Sequence, residues 1–268
     1  MRIIIEIIRD HIRYRKQIMK LAKSDLVKTY KGAALGWSWS VLKPAVTIGI
    51  YYFAFAVGLR RNAPIAGYPF FLYLLCGLVP WFYMSAMFTG GAKVIRKYGY
   101  LVTKVRFPVS VIPTFASLSQ LATNIFITIL MLIVFLIYGQ RPDIYWLQIP
   151  FYMALSFFFF TSWSLFAGLV SVVSKDFMHL VESVVMFLFW TAGIFYDVSG
   201  IKNITLRKIM MFNPVSIIVN GYRDALINKM WFWERMDWMR NYVILLGLML
   251  ILAMWAYKKL IKTIPDML

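Results

Sequence analysis

The sequence predicts an all-α, polytopic membrane protein that forms a single domain over residues 1–268. Of its 268 residues, 61% are hydrophobic and only 15% are charged, whereas soluble proteins are about half apolar and about a quarter charged. Uncharged runs cover 62–92, 107–140 and 144–174, and each exceeds the ~20 residues that a helix needs to cross a bilayer. With the shorter apolar segments around them, these runs predict six transmembrane helices at 44–59, 69–90, 108–138, 145–173, 177–196 and 241–262.

The positive charges predict how the chain is oriented in the membrane. A net charge of +18 would also suit a nucleic-acid-binding protein, but the cations lie at the ends of the apolar runs and form no continuous face. We therefore expect no nucleic-acid partner. Lys and Arg are concentrated at 2–31, 91–108 and 258–262, whereas the short loops on the opposite side hold few. Because cytoplasmic loops carry the excess of cations, both termini are expected in the cytoplasm.

Residues 1–36 are expected to form a helix in the membrane interface, followed by the entrance to the first span. Ile4, Ile7, Ile8 and Ile12 fall near one helical face, and cations occupy the rest of the helix. A helix with an apolar face and a basic face lies in the headgroup region of anionic membranes. The alternative is a helix that packs on a soluble partner.

A motif precedes the first span: the chain runs through DLVKTYKG at 25–32 and LGWSWS at 35–40 to Pro44. Glycines permit a change of direction, tryptophans anchor at lipid headgroups, and proline suits the first turn of a helix. This series resembles the start of type-2 ABC-transporter permeases that export polysaccharides and teichoic acids. The resemblance implies a substrate entrance at Trp37, Trp39 and Lys43. Lys43 would meet a lipid-linked pyrophosphate there, and the alternative is that it snorkels to the headgroups.

The resemblance continues, in the family's order, at 97–113, 175–181 and 213–223. In such permeases the first cytoplasmic loop carries a coupling helix that docks on the ATPase subunit, and here it corresponds to the basic segment 91–107. The residues expected to couple to the ATPase are Lys97, Tyr98, Tyr100, Leu101, Lys104, Lys175 and Asp176. Tyr98, Tyr100 and Leu101 are expected to form the contact itself, because aromatic anchors commonly dominate interfaces. The alternative is a basic loop that is merely attracted to lipid headgroups.

Aromatic residues of the first and fifth spans are expected to line the substrate channel. The resemblance implies that these two spans lie at the centre of a dimer, where ring stacking on sugar C–H faces would hold a moving chain without trapping it. The expected channel residues are Tyr51, Tyr52, Phe55, Phe189, Trp190 and Tyr196. Without the resemblance, each ring would be interpreted as a lipid-facing or interfacial aromatic.

The segment 197–235 separates the fifth and sixth spans and contains the apolar stretch 209–222, which is short for a span. It suits a re-entrant piece, which survives at membrane depth only where protein or a water-filled cavity covers its backbone. The stretch is similar to the family's outer gate, so we expect re-entrant gate helices with Asn213, Pro214, Tyr222 and Arg223 as gate residues. A surface amphipathic hairpin is the alternative.

Several other functions are disfavoured by the chemistry of the chain. The third and fourth spans hold no Asp, Glu, His, Lys or Arg, which argues against an ion-coupled transporter. The sequence has no glycine-rich phosphate loop with Lys and Ser or Thr, so we expect ATP and Mg to be bound by a partner and no cofactor or metal in this chain. The eleven acids are scattered, which disfavours a membrane-embedded transferase. A structural or lipid-scaffolding protein is a further alternative, and it would differ from an exporter in needing no partner ATPase.

These segments together imply the transmembrane subunit of an ATP-driven exporter in the bacterial plasma membrane. Two copies of the chain are expected to work with two ATP-binding cassette subunits on a lipid-linked anionic glycopolymer. The segment from Tyr98 to Pro113 is most similar to the wall teichoic acid translocation permeases (TagG/TarG type), so wall teichoic acid is the expected cargo. An O-antigen or capsular polysaccharide is the alternative.

Overall fold

The computed structural model describes residues 2–28, 32, 34–59, 64–105 and 107–268, with the side chains of 2, 3, 37, 199, 265 and 266 left undescribed. Its regular architecture is helical, as the sequence predicts. The helices are α1 Arg2–Arg13, α2 Arg15–Lys28, α3 Trp39–Tyr52, α4 Phe70–Lys97, α5 Gly99–Thr103, α6 Ile112–Ile137, α7 Gln148–Val173, α8 Asp176–Thr191, α9 Ile204–Met210, α10 Pro214–Arg223, α11 Met236–Leu260 and α12 Ile264–Met267. Wider π-helical turns extend α3 over Phe53–Gly58 and α10 over Asp224–Asn228.

Within the described ranges, five helical segments are long and apolar enough to cross a membrane. They are Trp39–Gly58, Phe70–Thr103, Val109–Ile137, Ile144–Val173 and Phe232–Leu260, and they coincide with the first four expected spans and the sixth. The chain is therefore a multi-pass membrane protein. The fifth expected span corresponds to α8, whose 16 residues reach only about 24 Å at 1.5 Å per residue, against about 30 Å of hydrocarbon. The six-span topology thus stays a prediction.

Helix α4 lies at the centre of the bundle and packs against α6, α7, α8 and α10. Small residues allow the close approach: a Cβ added at Gly91 would lie 2.1 Å from Ser164 Oγ on α7, so the two helices meet at a glycine, as helices in membranes commonly do. The hydroxyls of Tyr83 and Ser117 lie 2.7 Å apart and link α4 to α6. Helix α4 is thus a buried central helix, and the more exposed α3 and α8 pack against it.

The cytoplasmic end of α4 extends further than the expected span. The helix continues through Gly90 and Gly91 to Lys97, about two turns past residue 90, and Tyr98 separates it from α5. The expected coupling segment 91–107 therefore begins as part of α4, and its remainder contains the short α5. We use "cytoplasmic end" for this end of the bundle and "outer end" for the end where α4 and α7 begin, following the orientation predicted from the cations.

The amino-terminal region forms two helices, whereas one continuous interfacial helix was expected. Helix α2 packs on α6 and buries Ile18, Ala22 and Asp25. In α1, Ile8 and Ile12 remain exposed, which suits a helix in the membrane interface. The interfacial interpretation thus fits α1, and α2 belongs to the packed bundle.

The chain reverses direction after α8. Gly193 has a φ of +71°, and a Cβ there would lie 2.4 Å from Val198 Cγ2, so both the backbone and the space require glycine. The chain then returns through α9 into α10, every residue of which between Val215 and Arg223 is buried. Helix α10 packs against α4 and α7, so its polar backbone is covered by protein as a re-entrant helix requires.

Candidate transport path and gate

Aromatic rings from α3, α8 and the turn after α8 form one cluster, which we call the ring cluster: Tyr51, Phe55, Phe189, Trp190 and Phe195. Phe195 is its hub, with its ring centroid 4.4 Å from that of Phe55 in a stacked pair, 5.0 Å from Tyr51 and 5.5 Å from Trp190. Phe189 and Phe195 are buried, whereas Trp190 is 51% exposed. Spacings of 4.5–7 Å are typical of favourable aromatic pairs. The cluster therefore presents Trp190 and the half-buried edges of Tyr51 and Phe55 on one side of the molecule.

Four of the six expected channel residues belong to the ring cluster, and two do not. The ring of Tyr52 points toward α4, with its centroid 5.2 Å from that of Phe71. The hydroxyl of Tyr196 donates to the carbonyl of Trp190 at 2.8 Å and so fixes the turn after α8. Phe195 was missed by sequence reasoning. The sequence signal for it was Gly193, two residues before Phe195, because a turn at a glycine can bring a following aromatic ring back against the helix.

Arg223 of the expected gate is fully buried and binds the turn after α8. Its Nη1 donates to the carbonyl of Gly193 at 2.7 Å and its Nη2 to the carbonyl of Ile194 at 2.6 Å. The guanidinium carbon lies 3.6 Å from the ring centroid of Tyr73 on α4, a cation–π contact in a desolvated site. A planar guanidinium is suited to two parallel hydrogen bonds. Arg223 thus ties α10 to the end of α8 and to the first turn of α4.

The other end of α10 is fastened to the same helix. Asn213 Oδ1 accepts from the backbone N–H of Val215 at 2.9 Å and so caps α10, while Pro214 occupies the first helical turn, where proline costs no hydrogen bond. Asn213 Nδ2 donates to the carbonyl of Leu188 at 3.1 Å and to Thr191 Oγ1 at 3.2 Å. Both ends of α10 therefore hold the last turn of α8 and the reversal that follows it.

Tyr222, the remaining gate residue, is buried beside these contacts. Next to it, a Cβ at Gly221 would lie 2.3 Å from Tyr152 Cε1 of α7, so α10 approaches α7 as closely as a glycine permits. The expected gate residues Asn213, Pro214, Tyr222 and Arg223 are thus brought together on one buried helix that is fixed to α8. Whether this helix opens during transport is a prediction.

The expected coupling residues divide into a buried group and an exposed group. Tyr98 and Leu101 are buried, whereas Tyr100 is 46% exposed, and the side chains of Lys97 and Lys104 are exposed. The hydroxyl of Tyr98 donates to Asp25 Oδ1 of α2, and Lys97 Nζ lies 3.1 Å from the same oxygen. Tyr98 therefore anchors α2 to the end of α4, and Tyr100 is the aromatic that faces outward.

The second cytoplasmic loop lies beside the first. Arg96 Nη2 of α4 donates to the carbonyl of Ser171 near the end of α7 at 2.7 Å, and Lys93 Nζ pairs with Glu182 Oε1 of α8 at 2.9 Å. Lys175 and Asp176, which follow α7, are exposed. The two segments expected to couple to the ATPase thus share one end of the bundle.

The expected substrate entrance is only partly described. The side chain of Trp37 lies outside the described residues, as do the cations at 60–61. Lys43 is exposed on α3, and its Nζ lies 5.9 Å from the ring centroid of Trp39. An exposed lysine beside a tryptophan is typical of a headgroup-level anchor, and its contact with substrate stays a prediction.

Different outcomes are expected for the two coupling tyrosines. Tyr98→Ala should destabilise the protein by about 3–5 kcal/mol, the usual cost of truncating a buried aromatic, and it also removes the hydroxyl that donates to the Asp25 carboxylate. Tyr100→Ala should leave the thermal midpoint unchanged but reduce recovery of the ATPase with the purified permease. Tyr138→Ala is the matched control, since Tyr138 is 47% exposed at the outer end. Equal ATPase recovery with the Tyr100 and Tyr138 variants would contradict the assignment of Tyr100.

Comparison with known families identifies the class of protein to which this membrane-spanning helical chain belongs. The profile of the ABC-2 type transporter family matches residues 16–227. The chain belongs to this family. The resemblance in the motifs is therefore confirmed at the level of the family.

Individual proteins similar to this chain have names that specify a cargo, which the family description does not. The chain is 29% identical over 220 residues to the O-antigen export system permease protein RfbA of Myxococcus xanthus, covering 82% of this chain and 83% of that protein. It is 26% identical over 213 residues to an O-antigen export system permease protein RfbA of Klebsiella pneumoniae, covering 79% and 80%. These names match the alternative cargo, an O-antigen polysaccharide, better than the wall teichoic acid that we expected from the Tyr98 to Pro113 segment.

Proposed function

We propose that this chain is the transmembrane subunit of an ATP-driven exporter that moves a lipid-linked cell-surface polysaccharide of the O-antigen class out of the cytoplasm. Membership of the ABC-2 family implies an ATP-binding cassette partner. The observation that carries the choice of cargo is the likeness, over about four fifths of the chain, to permeases named for O-antigen export. A wall teichoic acid is the second candidate, and its support is the surplus of cations in 197–240.

The ring cluster supports a carbohydrate path. Sugars expose C–H faces that pack on aromatic rings, and we expect each such contact to be as weak as a contact between two aromatic rings, which is worth about 0.5–1.5 kcal/mol. A polymer can therefore pass from ring to ring without meeting a deep energy well. Trp190 is half exposed although it adjoins a buried aromatic pair, so its outer face is free within one copy of the chain to meet either a polymer or a second copy.

A pair of chains supplies the second wall of that path. In one copy the exposed side of the ring cluster, made by Trp190 with the half-buried Tyr51 and Phe55, lies on α3 and α8, whose residues are mostly exposed or half-buried. A two-fold axis would set the same surface of both copies face to face. We therefore propose a homodimer with the ring clusters at its centre and two ATPase subunits at the cytoplasmic end.

The ATPase would act on α8 through the paired cytoplasmic loops. Tyr100 and Lys104 are exposed on the first loop, and Lys175 and Asp176 are exposed on the second. The Lys93–Glu182 pair and the Arg96 contact join α4 to α8 and α7, so movement of the loops would reach the helix that carries Phe189 and Trp190. Asn213 and Arg223 bind the outer end of α8 and the turn after it, and a change in these contacts would then open or close the path.

Copurification tests this assembly. We expect the tagged permease, extracted in mild detergent, to bring down an ATP-binding cassette protein, and native mass spectrometry to give two copies of each. A cysteine introduced at position 190 should cross-link two permease chains, whereas a cysteine in place of Val243, which is exposed on α11, should not. An ATP-hydrolysing complex that contains a single permease chain would contradict the dimer.

A further inference from the structure

A groove lies between α1 and the bundle, on the side formed by α6, α7 and α11; we call it the α1 groove. It encloses about 640 Å³, which is within the ~300–1,000 Å³ typical of small-molecule sites. Two hydroxyl residues, Thr161 and Ser162, interrupt an otherwise apolar wall on α7. None of its described lining residues belongs to the ring cluster, the gate or the coupling loops, so the proposed transport path does not use it.

Hydrogen bonds hold α1 at a fixed distance from the bundle. His11 Nδ1 donates to the carbonyl of Ile7 at 2.7 Å, and its Nε2 lies 2.7 Å from Thr114 Oγ1 of α6. Ser110 Oγ, just before α6, donates to Asp10 Oδ2 at 3.3 Å. These contacts fasten the second half of α1, so the α1 groove is a defined part of the fold.

The α1 groove runs from the level of the first cytoplasmic charges into the hydrocarbon of the membrane. On α7 its lining extends from Phe157 to Leu165. Gly91 of α4 meets Ser164 of α7. Lys93, the first charged residue of α4, therefore lies just beyond Leu165 toward the cytoplasm. At 1.5 Å per residue, Phe157 is roughly 13 Å deeper than Lys93, close to half of the ~30 Å hydrocarbon thickness. The groove thus extends over about one leaflet, which is the reach of a single acyl chain.

The cytoplasmic end of the α1 groove is polar and carries positive charge. Arg15 lines it, beside His11, Ser110 and Thr114, and no acid is among its described lining residues. Asp10 lies behind Ser110, but residues 2–16 as a whole hold five cations against two acids. Because basic segments at the cytoplasmic surface attract anionic lipids, this charge favours an anionic headgroup. A polar end and an apolar interior match the two parts of a phospholipid.

We propose that the α1 groove binds one acyl chain of an anionic glycerophospholipid from the cytoplasmic leaflet, with the phosphate of its headgroup at Arg15. A guanidinium binds phosphate oxygens with paired hydrogen bonds, and the apolar wall covers the chain below it. The bound lipid fills the space between α1 and the bundle and so stabilises the position of the interfacial helix. This lipid is a component of the bilayer, so the site does not depend on which polymer is exported.

Native mass spectrometry of the purified permease tests the headgroup contact. The protein in detergent is titrated with phosphatidylglycerol and, separately, with phosphatidylcholine of the same acyl chains, and the apparent dissociation constants are compared. We expect phosphatidylglycerol to bind at least fivefold more tightly. Arg15→Gln should abolish this preference. Arg9→Gln is the matched control and should keep it, since Arg9 is an exposed arginine of α1 that does not line the groove.

A second pair of variants tests the acyl-chain contact. Leu250 of α11 lines the groove and is 44% exposed, so Leu250→Trp should fill the groove and weaken binding of both lipids at least fivefold. Ile251→Trp is the matched control, because Ile251 is 61% exposed and lies outside the groove. A ligand that binds only the folded state stabilises it. Phosphatidylglycerol should therefore raise the thermal midpoint of the Ile251 variant but not that of the Leu250 variant.

Three results would overturn the inference. Equal affinity of the unmodified permease for the two lipids would exclude recognition of an anionic headgroup. Unchanged lipid binding by a folded Leu250→Trp protein would place the lipid elsewhere. A disulfide between two chains through Ile8→Cys, at an exposed residue of the groove, would show that a second copy covers this surface.

Discussion

Replacing Arg223 by alanine should abolish surface polymer and lower the thermal stability of the purified permease. The change leaves two buried carbonyls, those of Gly193 and Ile194, without their donors. Each orphaned buried group costs about 1–3 kcal/mol, so we expect a loss of about 2–6 kcal/mol. Since these carbonyls lie in the reversal after α8, the ring cluster would lose the fixed position of Phe195 as well.

Two further variants separate a gate defect from general unfolding. Arg223→Lys keeps the charge but replaces the planar fork by a single ammonium, so it should insert stably and export poorly. Arg141→Ala removes an exposed arginine at the outer end and should have no effect on either measurement. The measurements are the thermal midpoint in detergent and the amount of polymer at the cell surface. Normal export by a stable Arg223→Ala protein would contradict the claim that Arg223 must hold the turn after α8 for export.

The second large effect is expected in the ring cluster. The triple variant Tyr51→Leu/Phe55→Leu/Trp190→Leu removes three rings but keeps apolar bulk, so the bundle should remain packed while sugar stacking is lost. If each lost sugar contact raises the barrier to export by as much as a contact between two rings is worth, about 0.5–1.5 kcal/mol, export should fall at least about tenfold, since about 1.4 kcal/mol corresponds to tenfold in rate. The ATPase rate, measured on the same complex, should persist, because the coupling loops are unchanged.

Phe53 provides the matched control for the triple variant. It belongs to the same helical segment as Phe55 but is 66% exposed and lies outside the ring cluster, so Phe53→Leu should export normally. If the triple variant is stably inserted and exports as well as the Phe53 variant, the rings face lipid and the channel assignment is wrong.

Long apolar runs predicted helical segments long enough to cross a membrane at five of the six expected spans, because a chain of that hydropathy satisfies its backbone in lipid only as a helix. The same reasoning located the buried α10, since 14 apolar residues are too few to cross. It did not determine how α8 ends: Gly193 permits either a kinked or a reversed chain, and only the packing against Val198 and the bonds from Arg223 select the reversal. The reversal is also why Phe195 was missed.

The coupling segment shows a different limit of the sequence. Tyr98 and Tyr100 have similar local surroundings, and nothing nearby in the chain indicates which one turns inward. The choice depends on Asp25, which is 73 residues away in the sequence and accepts the hydroxyl of Tyr98. The prediction of the cargo was limited as well, because the surplus of cations in 197–240 favours a polyanion without determining its chemistry.

The central claim is that this chain carries a lipid-linked surface polysaccharide across the membrane, and a deletion of its gene tests it most directly. Polymer is quantified at the cell surface and, as lipid-linked material, in a membrane extract whose sugar and phosphate contents are measured. We predict that polymer disappears from the cell surface and that lipid-linked polymer accumulates inside the cell. The accumulated polymer should be rich in sugar and poor in phosphate. Unchanged surface polymer, or loss of it without internal accumulation, would contradict the account.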